Sequence, residues 1–253
     1  MGQRRTGCHP HWRAAPVVLA ILLLATRAIA GPPYVTDDAE PTDKGHFEIY
    51  AFATGTGARD GAEGEGGIDF NYGAAEDLQL TAVLPVALSS PDVGPSAANL
   101  GNIELAAKYK FLHQDDVGVD VAFFPRVFLP AGSAEVGERH VSLLLPLWIG
   151  RSWDTWSTFG GGGCVLNRGS DSQNFCQVGL AITKQLSPEL QLGAEVYHQT
   201  ADTRGGKAST GLGVGAIYDL NEHYHLLASA GPGIQNADEA GRYLWYAAVL
   251  FTF

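Results

Sequence analysis

From Lys44 onward the chain alternates apolar and polar residues with period two and shows almost no helical periodicity. Ile103, Leu105, Ala107, Tyr109 and Phe111 alternate with Asn102, Glu104, Lys108 and Lys110. Leu190, Leu192, Ala194 and Val196 alternate with Gln191, Gly193 and Glu195. Such a pattern permits little besides strands with one apolar and one polar face. It predicts twelve, near 45–55, 66–75, 78–87, 99–111, 117–129, 139–150, 155–166, 175–186, 190–199, 208–219, 223–232 and 242–253, with ends placed to about 2–4 residues. Tight turns are expected at 76–77, 113–116, 151–154, 187–189 and 220–222. Longer Gly/Ser/Pro/Asp-rich loops are expected at 56–65, 88–98, 130–138, 167–174, 200–207 and 233–241. Strict alternation of short and long connections puts the short turns and both termini at one end of the sheet, and the long loops at the other.

An even number of strands of about ten residues, joined this way, is the layout of a bacterial outer-membrane barrel. Closure is required, because lipid offers no hydrogen-bond partner to an open sheet edge. Composition agrees: 45% of the 253 residues are hydrophobic and 17% charged, yet mean hydropathy is −0.00, as alternating faces would give. Beyond the N-terminus no run of about 18 apolar residues occurs, which excludes a helical membrane protein. A formal net charge of −11 argues against nucleic-acid binding, which draws on Lys and Arg to displace counterions from phosphates. Tyr72, Tyr109, Phe111, Trp156, Tyr224, Tyr243 and Trp245 fall near strand ends and suit interfacial aromatic girdles. The expected fold is all-β, an antiparallel transmembrane β-barrel of about twelve strands behind a cleaved signal peptide.

The leader reads as follows. Arg4, Arg5 and Arg13 precede an apolar stretch from Ala14 to Ala25, and Ala28-Ile29-Ala30 closes it in A-x-A form. This describes a secretory signal peptide, residues 1–30, cleaved after Ala30. Its removal takes away four arginines and no acid, carrying the net charge from −11 to −15. Cys164 and Cys176 remain. In an exported protein they are expected to form a disulfide across a hairpin loop, worth about 2–3 kcal/mol by loop closure. No Cys-x-x-Cys or clustered His accompanies them, so neither a metal site nor a cofactor is expected.

The final strand places Tyr243, Trp245, Ala247, Val249, Phe251 and Phe253 on one face, and Phe253 is the last residue. It resembles the signal by which the barrel assembly machinery recognises outer-membrane barrels, with Tyr243, Trp245, Phe251 and Phe253 as its aromatic positions.

The stretch from Gly31 to Glu48 begins Gly31-Pro32-Pro33-Tyr34-Val35-Thr36-Asp37-Asp38-Ala39-Glu40-Pro41 and continues to Gly45-His46-Phe47-Glu48. It resembles the G-P-P-F-x-T-D-D-P-x-P opening and G-x-[FW]-E motif of the MetA-pathway of phenol degradation family of outer-membrane transporters. Thr158-Phe159 with Gly160–Gly163, and the stretch from Leu192 to Thr200, are similar too. The resemblance spans most of residues 31–253. It departs at Ala39, where the pattern has Pro, and at Cys164 and Cys176. It implies passage of small, often hydrophobic or aromatic compounds.

If the apolar faces meet lipid, the other faces line a lumen. The lining candidates are Glu48, Asp69, Glu104, Lys108, Lys110, Asp120, Arg126, Glu195 and Tyr197, mixed with Phe52, Phe124, Trp148, Leu227 and Tyr246. That mixture disfavours a wide ion-filled pore and favours a narrow path for weakly polar solutes, and paired lumenal charges are read first as a structural lattice. Residues 31–44 are a candidate periplasmic tether or plug. Their acids Asp37, Asp38, Glu40 and Asp43 read as a solvated face rather than a cation site.

Three other readings compete with this one. His140-Val141-Ser142 gives the H-x-S of an outer-membrane phospholipase. The residue twelve positions on is Asp154 rather than Asn, however, in a turn about 40 Å away at ~3.3 Å per residue. No HExxH or G-x-S-x-G occurs, so no catalytic residue is assigned. A structural, adhesive or ligand-binding barrel is the second alternative, and a soluble periplasmic or secreted β-protein the third. The expectation is a channel in the bacterial outer membrane, whose partners are lipid, the assembly machinery and a small solute.

Overall fold

A computed structural model describes residues 32–132, 140–169 and 172–253; the proposed leader lies outside them. The alternating segments form one closed antiparallel sheet of twelve crossings. They are β1 (Phe47–Ala58), β2 (Gly61–Ala75), β3 (Leu78–Pro91), β4 in two pieces (Ala97–Leu100 and Ile103–Leu112), β5 in two pieces (Asp120–Phe123 and Arg126–Leu129) and β6 (Ser142–Trp153). Then follow β7 (Trp156–Leu166), β8 (Phe175–Ser187), β9 (Leu190–Gln199), β10 (Ser209–Asp219), β11 (Tyr224–Gln235) and β12 (Tyr243–Thr252). Each pairs with its sequence neighbours, and β1 pairs with β12 from Glu48↔Thr252 to Gly57↔Tyr243, which removes the sheet edge. At the seam Phe47 and Phe253 exchange backbone hydrogen bonds of 2.9 and 3.0 Å.

The break in β5 has a local cause. Pro125 has no N–H to give, and the ladder resumes around it through Ala107 N–H to Pro125 O and Phe124 N–H to Pro146 O, both 3.2 Å. The turn expected at 113–116 is a single helical turn, α1 (Gln114–Val117), ended by Gly118 at φ 88°. Two-residue turns at 76–77 and 154–155 use Asp77 and Asp154 at positive φ, where Asp is among the better tolerated residues.

One expected loop is absent. Residues 56–65 were expected to connect β1 and β2, but both strands continue through them and turn at Arg59-Asp60, with Thr56↔Glu63 and Gly57↔Ala62 paired. The strict alternation of short and long connections therefore fails at the first loop. Acid- and glycine-rich sequence imitates a loop because it lacks apolar positions. Here the outer-face gap is covered instead by rings from the adjacent strand, Trp245 over Gly55 and Tyr243 over Gly57.

The molecule is apolar outside and polar inside. Leu84, Leu180 and Val214 are 55%, 57% and 66% exposed, whereas Asn71, Glu104 and Lys108 are at most 6% exposed. Near the short-turn end an apolar cluster of Tyr50, Ile217, Leu227, Ala248 and Leu250 narrows the lumen, with Phe52 and Tyr246 packed against it and stacked on each other. Trp156 and Tyr224 mark the short-turn rim and Tyr243 and Trp245 the loop rim, with the Lys184 ammonium 4.5 Å from the Trp156 ring. Cys164 and Cys176 face each other across β7 and β8 and form a disulfide.

Candidate functional site: an occupied lumen

Gly45, at φ 80°, turns the chain from the N-terminal segment into β1. Residues 32–42 run inside the barrel, where Thr36, Asp38, Ala39 and Thr42 are each buried, and Asp43 and Lys44 lie exposed at its mouth. Of the four acids expected to meet water, Asp43 is exposed, but Asp37, Asp38 and Glu40 meet cationic side chains instead. Lys108 donates to Asp37 at 3.0 Å, to Asp38 at 3.4 Å and to the Glu40 carbonyl at 3.2 Å, and Lys110 donates to Glu40 at 2.8 Å. Gln79 accepts from the Thr42 N–H and hydroxyl. Farther in, the Glu195 carboxylate accepts from Val35 N–H, Thr36 N–H and the Thr36 hydroxyl, at 3.0, 3.0 and 2.9 Å. Ser229, on the same wall two strands away in β11, donates to the Pro33 carbonyl. The segment thus climbs from the short-turn end and then crosses the lumen.

Room for that crossing comes from the wall. A Cβ at Gly179 would collide with the Thr36 side chain, one at Gly193 with the Tyr34 hydroxyl, and one at Gly215 with the Tyr34 ring. These glycines lie on β8, β9 and β10, and Gly193 and Gly215 are directly paired. Sequence reasoning passed over all three, and Ser229 as well. The available signal was the coincidence of side-chain-free lumen positions on three successive strands.

Of the expected lining residues, Lys108, Lys110 and Glu195 hold the segment. Glu104 forms a bidentate pair with Arg126, at 2.7 and 2.8 Å, and Arg126 also lies over the Phe124 and Phe128 rings. Asp120 accepts from Gln114 N–H and stands 3.9 Å from Lys110. Asp69 accepts from Asn71, Glu48 from the Tyr50 hydroxyl, and Tyr197 lies across Gly211.

Two acids share Lys108, and the second is the costly one. Burial pushes the Asp38 carboxyl up to about 7, against the pull of Lys108 and helped by Asp37. Its Oδ2 is buried with no hydrogen-bond partner among the described residues, so a proton there costs less than a charge. Burial and the Glu195 charge likewise raise the Tyr34 hydroxyl well above the usual phenol range.

The segment narrows the lumen without filling it. Cavities of about 530 and 210 Å³ lie on the β1–β4 side and share Glu65, Val83 and Glu104. Another of about 200 Å³ lies above the segment, between Val35, Thr36, Trp148 and Tyr197.

Residues 35–244 match the family model described as "Putative MetA-pathway of phenol degradation". The chain belongs to this family. No curated protein matches it. Among solved structures, the COG4313 outer membrane channel from Pseudomonas putida F1 aligns with a TM-score of 0.72 at 14% identity, over 85% of this chain and 98% of that one. The KdgM porin gives 0.57 at 10% identity, over 82% and 99%. The translocator domain of the autotransporter NalP from Neisseria meningitidis gives 0.54 at 14%, over 85% and 91%. These likenesses establish the fold of this phenol-degradation family member: a closed outer-membrane barrel.

Proposed function

We propose that this barrel is a passive outer-membrane channel for small, weakly polar molecules, constricted by residues 32–44. The observation that carries the reading is a lumen occupied by an ordered segment yet holding cavities of solute size. Twelve strands suit this, lying between barrels of about eight, filled by side chains, and porins of about 16–18, which are open. Family membership supports a small, often aromatic cargo. The test is swelling of liposomes holding the purified protein in a neutral aromatic solute, with and without residues 32–44. Uptake by the full chain, faster without the segment, is expected. No uptake by either form would sink the reading and leave a binding or structural role.

No catalytic step is assigned. Ser142 is buried in β6 and Asp154 sits in the turn at the far end of that strand. A second constellation, Asp219–His225–Thr252, has hydrogen-bond distances of 2.6 and 3.2 Å. The Thr252 hydroxyl, however, is engaged by the Glu222 carbonyl, and none of the three cavities is lined by these residues. His225 reads as a packed rim residue.

A further inference from the structure

The N-terminal segment leaves most of the free space on one side, with a smaller cavity of about 200 Å³ across from it. The two cavities that share Glu65, Val83 and Glu104 run together along the wall of β1–β4. They reach from Ser89 and Gly101 near the loop end to Gln79 and Glu48 near the short turns. Strand β2 sets the character of this path. Its lumen-facing positions are every second residue, and they read Glu63, Glu65, Gly67, Asp69 and Asn71.

The cations beside the path are already matched. Arg126 is held by Glu104 through two hydrogen bonds, Lys108 by Asp37 and Asp38, and Lys110 by Glu40. Glu63, Glu65 and Asp69 join no ion pair among the described residues, and Asp69 accepts only from the neutral Asn71 amide. The path therefore carries an excess of carboxylates on one strand: Glu65 and Asp69 feel the Arg126 charge, but Arg126 is itself paired with Glu104. A narrow cleft with low-dielectric walls concentrates their field, and acidic linings select cations.

The geometry points to a charge-selective path along β2: neutral and positively charged solutes pass, anions are turned back, and Glu63, Glu65 and Asp69 set the preference. This rests on the channel reading above and specifies which solutes the channel admits. On the opposite wall a separate cavity of about 200 Å³ remains, and the nearby Glu195 is saturated by Val35 and Thr36, which leaves it little field to add.

The test is a matched series in proteoliposomes at pH 8: benzyl alcohol, benzylammonium and benzoate, alike in size and differing in charge. A potassium chloride gradient across a planar bilayer supplies the ion preference. The native protein is expected to admit the alcohol and the ammonium at least about tenfold faster than benzoate, and to favour K⁺ over Cl⁻. The variant E63Q/E65Q/D69N is expected to keep alcohol uptake within about twofold and to lose most of both preferences. Its heat-modifiable gel shift checks that it folds, and E189Q, in an exposed turn, is expected to change nothing. Alcohol uptake with no discrimination against benzoate overturns the charge path and leaves the channel intact. Discrimination that survives the triple variant does the same. No uptake of any of the three overturns the channel reading and this inference together.

Discussion

Glu195 shows how one lumenal residue can hold the N-terminal segment in place. Its carboxylate accepts three hydrogen bonds from Val35 and Thr36, a load an amide cannot carry, since only one amide oxygen accepts. Glu195→Gln is expected to weaken docking by about 1–3 kcal/mol. The check is hydrogen exchange of the 32–44 peptide, which should speed up while the barrel strands stay protected. Unchanged exchange would mean that the wall glycines alone hold the segment. Asp38 adds a dependence on pH whose sign is fixed by its environment. Docked, its carboxyl is raised to about 7 from an ordinary 3.8 by burial, opposite Lys108 and beside Asp37 and Glu40. The docked state therefore binds the extra proton between about pH 4 and 7. Its contribution is fully present below pH 4 and is lost as pH rises through 7. Exchange of the same peptide, corrected for intrinsic rates, should accelerate from pH 5 to 8. In Asp38→Asn most of that acceleration should be lost.

At the scale of elements, the strands were legible in the sequence because lipid enforces the period-two rule almost everywhere. Tyr243 through Phe253 could hardly be read otherwise. What misled was β1–β2, where Gly55, Gly57, Gly61, Gly64 and Glu65 look like loop sequence. Gly55 and Gly57 are covered by rings on β12, a partner nearly 190 residues away that no local window contains. The lumenal segment was half legible: its position before β1 suggested a plug or a tether, and its acids suggested water. Its partners Lys108, Lys110, Gln79 and Glu195 lie on β3, β4 and β9, so their convergence is a property of closure rather than of any segment. The disulfide is an element-level staple. It bonds β7 to β8 where the loop 167–174 leaves them, and removing it with C164S/C176S should cost about 2–3 kcal/mol. Urea unfolding in detergent checks this, and an unchanged midpoint would show that strand pairing alone fixes the rim. Phe253 closes the seam against Phe47 and stacks on His223. If the C-terminal aromatic face is also the assembly signal, deleting Phe253 should lower the folded fraction in the outer membrane far more than it lowers the stability of refolded protein.

The whole molecule carries its hydropathy inside out, and this explains a mean of −0.00 in a chain that is 45% hydrophobic. The large exposed side chains form the outer belt, and the buried polar ones, Glu104, Lys108, Glu195 and Gln79 among them, converge on the lumen. In a soluble sandwich the same alternation would point the other way, with leucines inward and acids in water. The two arrangements differ in what an arginine would cost at adjacent kinds of position on one strand. Leu180 lies on the outer face of β8, 57% exposed without lipid present. Gln177, three residues earlier on the same strand, lines the cavity above the N-terminal segment. In a bilayer Leu180→Arg should destabilise by about 2–4 kcal/mol, the range for a charge near the midplane of a barrel wall. Gln177→Arg should cost much less, because its charge enters a polar lumen. A soluble protein would tolerate the exposed arginine at 180 within about 0.5 kcal/mol. Reversible unfolding of both variants from lipid vesicles separates the cases, and equal, small costs at the two positions would refute the lipid-facing belt.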